Sequence, residues 1–235
     1  MIVLGGDGAI NEAANGLAGS ATPLAVLPGG TANCLAMETG LGARIETAAA
    51  RLSQCVSRSI AIGRLSFPTG VARHFLLMCG AGLDARIVHD VHADFKQGGG
   101  KLAFWISGFS QFTHRVEPLE VRVNGVTYTC GFMLASRVRN YGGDLEIAGG
   151  ASLLRDDFEM VVFEGSNPLR YAWYMVGVAT GRVRRMRGVR ALHARSAEIL
   201  TAAHVQIDGE YVGRGPVTIA IVPAGIHLLL PPPYG

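Results

Sequence analysis

Two short apolar segments near the start of the chain each run into a glycine-rich turn and then into a helix-like segment. Residues 2–4 (IVL) precede Gly5, Gly6 and Gly8, and helically spaced apolar residues follow from Asn11 onward. We expect these glycines to turn the backbone sharply through positive φ and to expose their N–H groups, as in anion cradles at helix N-termini. A tight turn without a ligand is the alternative for this stretch taken alone.

The same pattern then repeats. PLAVLPGG ends a second apolar strand at Gly29 and Gly30, and TANCLAMETGL begins a second helix that Thr31 or Asn33 is placed to cap. Two consecutive strand–turn–helix units predict a parallel sheet with both glycine turns at its carboxyl edge, where open α/β sheets bind ligands.

From about residue 56 the pattern changes to short runs that alternate apolar and polar residues, which is typical of an antiparallel sandwich or barrel. Asn124-Gly125 between EVRV and VTYTC predicts a two-residue hairpin turn, and helices are expected near 90–114 and 168–181. The predicted fold class is α/β plus all-β. A partial α/β nucleotide-binding domain covers 1–55, a β-sandwich substrate domain covers 56–225, and 226–235 returns to the first domain.

Composition excludes several classes of protein. The 235 residues are 49% hydrophobic and 17% charged, so disorder is not expected, and a net charge of +3 is too small to indicate nucleic-acid binding. The four cysteines form no CxxC pair, which favours a reducing compartment and argues against structural zinc. Without a long apolar run or a basic signal region, the chain is expected to be cytoplasmic, with at most peripheral membrane contact.

One segment concentrates positive charge. GRVRRMRGVRALHAR carries six arginines between positions 182 and 195. The pattern fits a solvated surface, and it equally fits docking to phosphates or to an anionic membrane.

The first glycine turn matches neither of the two commonest phosphate-binding patterns. In GGDGAINE, Asn11 stands where the dinucleotide fingerprint needs its third glycine, and no GxxxxGK[ST] occurs in the chain. Asp7 inside the turn would repel a bare phosphate unless a metal ion bridges them, which points to Mg²⁺-nucleotide chemistry.

GGDGAINEAANGL followed by PLAVLPGGTANCLA resembles the paired nucleotide-binding motifs of the diacylglycerol kinase catalytic-domain family, which includes sphingosine, ceramide and bacterial lipid kinases. The resemblance continues in CGAGLDARIV, FKQGGGKLAF, VQIDGEYVGRGPV and PAGIHLLLPP, in the family's order. It implies an α/β domain and a β-sandwich domain with the active site in the cleft between them. It also implies Mg²⁺-dependent transfer of the γ-phosphoryl group of ATP to a lipid hydroxyl.

The resemblance assigns roles residue by residue. It implies that Glu210 is the base and that Asp7 acts in catalysis and metal binding. The phosphates and the rest of the nucleotide would be held by Gly5, Gly6, Asp7, Gly8, Asn11, Glu12, Gly29, Gly30, Thr31 and Asn33. The family's metal loop can be matched to Asp156 and Asp157 only by shifting the alignment.

Four further residues are candidates with open alternatives. If the chain is extended there, Asp208 and Glu210 face the same side, whereas a turn at Gly209 would break that geometry and leave an exposed glutamate. Asp84 is either a cleft residue or a helix cap. Lys96 and Lys101 flank a GGG loop that could cover bound phosphate or simply be exposed.

The sequence also departs from the family. The first strand and helix with their Asn-Pro-x-x-Gly-like turn are absent, so we expect an N-terminally truncated chain, and Ala9 replaces the usual threonine. Two rival functions remain: a kinase of a soluble acceptor, similar to NAD kinases, or an inactive lipid- or nucleotide-binding remnant. The lipid acceptor and the oligomeric state are left open.

Overall fold

The computed structural model describes residues 1–91, 116–142, 144–232 and 234. Its first part contains two parallel strands, β1 (Ile2–Gly5) and β2 (Ala25–Pro28), which pair from Ile2 opposite Ala25 to Gly5 opposite Pro28. Three helices accompany them: α1 (Asp7–Leu17), α2 (Cys34–Glu38) and α3 (Ile45–Leu52). Both glycine turns therefore lie at the carboxyl edge of the strand pair, as the repeated sequence pattern predicts.

Most of the remaining chain forms one antiparallel sheet, which contains eleven strands among the described residues. These strands are β3 (Val56–Ser66), β4 (Ala72–Phe75), β5 (Met78–Gly82), β6 (Leu119–Val123), β7 (Val126–Ser136), β10 (Phe158–Glu164), β11 (Val189–Ala194), β12 (Ser196–Ile199), β13 (His204–Ile207), β14 (Glu210–Arg214) and β15 (Val217–Leu230). The path through the sheet runs β14-β13-β5-β7-β6-β12-β15-β3-β4, and β10 pairs with both β7 and β11. A separate hairpin joins β8 (Asn140–Tyr141) and β9 (Leu145–Glu146).

The buried apolar residues that the structure describes form two hydrophobic clusters. One consists of side chains from the strands of the sheet alone and includes Phe75, Met133, Phe158 and Ile219. The other joins the helices and strands of the α/β part to the opposite side of the sheet. Alternating burial along β6, where Leu119, Val121 and Val123 are buried, follows from the two-residue period of a strand.

The last strand connects the two parts of the molecule. β15 pairs with β3 along most of its length, with an irregularity between Val222 and Ile226. Beyond that point, the N–H of Leu24 donates to the carbonyl of His227 at 2.8 Å, and the N–H of Leu229 donates to the carbonyl of Leu24 at 2.8 Å. These bonds attach β15 to the segment that leads into β2. The division at residues 55 and 225 stays a prediction.

Within the described ranges, two helices belong to the sheet part: α4 (Leu83–Val91) and α5 (Pro168–Ala179). α5 agrees with the helix expected near 168–181, and the Asn124-Gly125 turn joins β6 to β7 as predicted. Most of the helix expected near 90–114 lies outside the described residues, as do FKQGGGKLAF, Lys96 and Lys101. In the part of the chain that the structure describes, every helix is too short or too polar to cross a membrane.

Candidate active site

The two glycine turns touch each other through their backbones. The N–H of Gly29 donates to the carbonyl of Gly5 at 2.9 Å. A Cβ atom on Gly30 would lie 2.5 Å from the Cα of Gly6, and one on Gly29 would lie 3.2 Å from the Cα of Gly5. None of these glycines has a positive φ. The expectation of positive φ was therefore wrong, and the turns need glycine because two backbones approach more closely than any side chain allows.

Asp7 connects the two turns. Its carboxylate accepts hydrogen bonds from the N–H groups of Cys34 at 3.1 Å and Leu35 at 3.3 Å, which are the first two residues of α2. These are amides that the helix itself leaves unpaired, so Asp7 serves as the cap of α2. Its carboxylate thus holds the second turn next to the first.

The two residues expected to cap α2 have other roles. Asn33 stands at the N-cap position with a φ of 48°, but its side chain turns back to Gly30, accepting from the N–H at 2.7 Å and donating to the carbonyl at 2.8 Å. Thr31 is exposed beside Gly29 and Gly30, which are also exposed. The proposed cap was wrong, and the N–H groups of Gly29 and Gly30 are already paired within the two turns.

Glu210 reaches the first glycine turn from the sheet. It is the first residue of β14, and a Cβ atom on Gly8 would lie 2.6 Å from its Oε1. Gly8 lies in the first turn of α1, so a side chain at that position would have to displace the carboxylate. The structure therefore brings Glu210 from the far end of the sequence to the GGDG turn, and its role as the base stays a prediction.

Arg73 joins this group, and sequence reasoning missed it. Its guanidinium forms an ion pair with Glu12 on α1, and its Nη2 lies 3.7 Å from Oε2 of Glu210. Arg73 lies on β4, where the sequence ARHF carries no motif. Only the packing of α1 against β4 places this cation between the two carboxylates.

Asp208 and Glu210 do not share one face of an extended strand. Asp208 has a φ of 47° and Gly209 a φ of 86°, so the pair forms the tight turn of the β13–β14 hairpin. Asp208 is buried, with 8% of its surface exposed. Of the two alternatives left open by the sequence, the structure has the turn, whose left-handed residues separate the directions of the two side chains.

The Asp208 carboxylate accepts four hydrogen bonds. Three come from the consecutive N–H groups of Leu76, Leu77 and Met78 at 2.8 to 2.9 Å, and one comes from the side-chain amide of Asn11 on α1. Burial raises the pKa of Asp208 to about 6, although all four hydrogen bonds act in the opposite direction. Asp208 therefore ties the hairpin that carries Glu210 to the sheet and to α1 at once.

Asn11 and Asn15 extend this junction along α1. Asn11 is 2% exposed, and its Oδ1 accepts from the side chain of Asn15 at 2.7 Å. Asn15 also donates to the carbonyl of His74 at 3.0 Å and accepts from its N–H at 2.8 Å. The structure thus places Asn11, predicted to bind the nucleotide, in a buried contact between the two parts of the molecule.

Asp84 supports the hairpin from its other side. It is buried in the first turn of α4, where it accepts hydrogen bonds from the Tyr141 hydroxyl and, at 2.8 Å, from the Gln206 side chain. Gln206 in turn accepts the N–H of Gly209 at 2.8 Å. Burial raises the pKa of Asp84, opposed by those two hydrogen bonds. Asp84 is thus a buried member of the network behind the turn.

Asp156 and Asp157 show no contact with the glycine turns among the described residues. Asp157 accepts a hydrogen bond from Nε of Arg155 at 2.9 Å and lies 3.4 Å from Nδ1 of His193. The Arg155 bond lowers the pKa of Asp157. No cluster of three His, Cys, Asp or Glu side chains suited to a metal occurs within the described ranges. Metal binding by Asp156 and Asp157 stays a prediction.

The arrangement combines two features that phosphoryl transfer needs. The N-terminus of the eleven-residue helix α1, in the half-buried first glycine turn, offers backbone N–H groups to phosphate oxygens. The exposed second turn lies beside it, with the N–H groups of Gly29 and Gly30 already paired. A partly exposed carboxylate, held by the buried network around Asp208, faces them from the other side. Such a site can bind a polyphosphate and accept a proton from a hydroxyl.

Comparison with known proteins agrees with this geometry. Residues 1–65 match the family described as "Diacylglycerol kinase catalytic domain", and residues 78–230 match the "YegS C-terminal NAD kinase beta sandwich-like domain". The diacylglycerol kinase of Bacillus subtilis is 26% identical over 239 residues, covering 98% of this chain and 77% of the relative. That of Mycobacterium tuberculosis is 25% identical over 238 residues, covering 98% and 76%.

A solved structure shares the fold. A crystal structure of a diacylglycerol kinase from Bacillus anthracis superimposes with a TM-score of 0.73 at 22% identity, covering 98% of this chain and 77% of that one. The small α/β part and the antiparallel sheet therefore correspond to an established architecture.

Proposed function

The chain belongs to the diacylglycerol kinase catalytic-domain family and is a phosphotransferase, and we propose that it transfers the γ-phosphoryl group of ATP to a hydroxyl of a diacylglycerol-like or sphingoid lipid. One observation carries the proposal. The carboxylate of Glu210 lies against Gly8 at the start of α1, beside the paired glycine turns, although the two positions are far apart in sequence.

In this proposal, different groups of the chain bind the phosphates, accept the proton and orient the base. The N–H groups at the N-terminus of α1 hold the phosphates of ATP, since these are the donors that a helix leaves unpaired. Glu210 accepts the proton of the lipid hydroxyl as the new P–O bond forms. Arg73, between Glu12 and Glu210, fixes the direction of the Glu210 carboxylate.

The residues present also fit a nucleotide-bound Mg²⁺. Such an ion takes most of its ligands from phosphates and water and needs only one or two carboxylates from the protein. Asp7 in the first glycine turn would supply one, because each of its carboxylate oxygens accepts only one hydrogen bond in the structure. The ion would neutralise charge on the phosphates.

The lipid acceptor implies a membrane partner. Long-chain lipid hydroxyls are found at membrane surfaces, so the enzyme must meet its substrate there. We therefore propose peripheral contact with an anionic membrane surface.

The test is transfer of labelled phosphate from MgATP to mixed micelles that contain diacylglycerol, sphingosine or ceramide in turn, with NAD as a soluble acceptor. Glu210→Gln keeps the shape of the side chain but removes the base, and we expect the rate to fall roughly 10²- to 10⁴-fold. Glu198→Gln is the matched control, because Glu198 pairs with Arg122 on the sheet and, in the part of the chain that the structure describes, shows no contact with the glycine turns.

A labelled lipid that disappears in Glu210→Gln but persists in Glu198→Gln supports the proposal and identifies the acceptor. Labelled NAD without labelled lipid would instead favour the soluble-acceptor function. Equal rates in the two variants would remove Glu210 from catalysis.

A further inference from the structure

We propose that one outward surface, made by α5 and the arginines that follow it, docks on an anionic phospholipid bilayer. This surface, called the α5 patch, consists of Leu169, Trp173, Val176, Arg182, Arg185 and Arg187. The inference rests on the proposed function in taking a membrane lipid as the acceptor, and it names the part of the molecule that reaches the membrane.

The outer side of α5 is unusually apolar. Leu169 is 80% exposed, Trp173 63% and Val176 49%. Their spacing of four and three residues places them on one face of the helix. A tryptophan and a leucine on the exposed face of a short helix are the residues that insert at the boundary between headgroups and acyl chains.

The inner side of α5 shows that the helix is firmly seated with this face outward. The Tyr171 hydroxyl donates to the carbonyl of Phe163 at 2.6 Å, and the Tyr174 hydroxyl donates to that of Gly188 at 3.1 Å. The Asn167 side chain caps the helix by accepting the N–H of Leu169. The exposed apolar face is thus a fixed feature of the fold.

The arginines continue the same surface. The N–H of Arg182 donates to the carbonyl of Gly177 at 2.8 Å, which folds the segment back against the end of α5. Arg182, Arg185 and Arg187 are exposed and have no acidic partner among the residues that the structure describes. By contrast, Arg184 pairs with Glu159 and Arg190 with Glu164.

The charge pattern selects an anionic bilayer over other occupants. Residues 165–197 contain seven arginines and no Asp or Glu, although the whole chain has a net charge of only +3. A second copy that docked through the same surface would bring the same positive charge against it and would be repelled. Arginines beside an apolar helix face match the two attractions of a bilayer, anionic headgroups and acyl chains.

Vesicle sedimentation tests the proposal without requiring turnover. Wild type should bind vesicles of phosphatidylcholine with phosphatidylglycerol and bind poorly to phosphatidylcholine alone. Replacing Arg182, Arg185 and Arg187 by Gln should lower partitioning roughly 10- to 100-fold. Trp173→Ala should lower it about 10-fold, because a large apolar side chain no longer inserts.

A matched triple variant replaces Arg44, Arg58 and Arg64 by Gln, which removes the same net charge from exposed positions outside the patch. It should bind like wild type. An equal loss in both triple variants would overturn the proposal in favour of general electrostatic attraction. Unchanged binding of the α5-patch variants would also overturn it, as would a concentration-dependent dimer in sedimentation velocity that the α5-patch variants abolish.

A parallel kinase assay separates this proposal from the proposed function. With a short-chain diacylglycerol dissolved as monomers, the α5-patch variants should keep wild-type rates, while their rates on vesicle-borne diacylglycerol fall with binding. Patch-dependent vesicle binding without phosphorylation of any lipid would retain the docking surface and reject the lipid-kinase function. Lipid phosphorylation together with vesicle binding that does not depend on the α5 patch would retain the lipid-kinase function and reject the docking surface.

Discussion

Two hairpins of this protein turn through the same backbone conformations and have different roles. Asn124-Gly125 joins β6 to β7 with φ values of 49° and 80°, and Asp208-Gly209 joins β13 to β14 with 47° and 86°. A Cβ atom added to Gly125 or to Gly209 would meet no heavy atom within 4 Å. As local structures, the two turns are interchangeable.

Their surroundings differ completely. Asn124 is exposed, and its side chain donates one hydrogen bond to the carbonyl of His193 at 3.0 Å. Asp208 is buried and accepts four hydrogen bonds from two distant segments. The difference shows that a turn motif determines local geometry, whereas the rest of the fold determines whether that turn positions a candidate site residue such as Glu210.

The largest effect should come from truncating the two turn residues to alanine. Asp208→Ala leaves three buried N–H groups and the Asn11 amide without their acceptor, and we expect it to cost about 3 to 4 kcal/mol of unfolding free energy. Asn124→Ala meets the same left-handed strain but loses only an exposed bond, so we expect about 1 kcal/mol. Urea denaturation of both variants measures the difference. Equal costs would mean that the Asp208 network contributes nothing beyond the turn itself.

A smaller effect concerns pH. The folded pKa of Asp208, about 6, lies above that of an unfolded aspartate, so the folded state takes up this proton more readily. Stability from this group is therefore present at low pH and is lost as the pH rises through about 6. As the pH falls from about 7 to about 5, the unfolding free energy of wild type should rise by about 1.3 kcal/mol relative to that of Asp208→Asn.

Denaturation of wild type and Asp208→Asn at both pH values measures this gain. Asn124→Asp is the control, since an exposed carboxyl at the equivalent turn position should show no comparable dependence. A wild-type advantage that grows towards neutral pH would show that the four hydrogen bonds outweigh burial of the charge.

The two turns also show how much the sequence could predict. Asn-Gly and Asp-Gly both signal a tight turn, and short apolar strands before glycines signal the parallel pair of β1 and β2, because these features depend on neighbouring residues. The partners of Asp208 depend on contacts across 130 to 197 positions, which no local pattern contains. The resemblance pointed to Glu210, yet its pairing with Arg73 became visible only in the fold.

The glycine turns illustrate the same limit. Their position at the carboxyl edge of the strands was predictable, but the physical reason for glycine was not. Gly6 and Gly30 are required because two separate turns touch, which a single motif does not reveal. Likewise, the sequence of the first turn did not reveal that Asp7 bonds to the start of α2.

The smallest expected effect is the exchange of turn residues on the exposed side. Asn124→Asp keeps a residue that tolerates the left-handed conformation and loses only the bond to His193, so we expect a change within about 0.5 kcal/mol. The reciprocal Asp208→Asn should lower the unfolding free energy by more at any pH. Its NH₂ group would face N–H donors at a place where a carboxylate oxygen now accepts their hydrogen bonds. Thermal denaturation of the pair compares the exchanges directly. A loss in Asn124→Asp as large as in Asp208→Asn would show that the backbone conformation, rather than the buried network, distinguishes aspartate from asparagine at both turns.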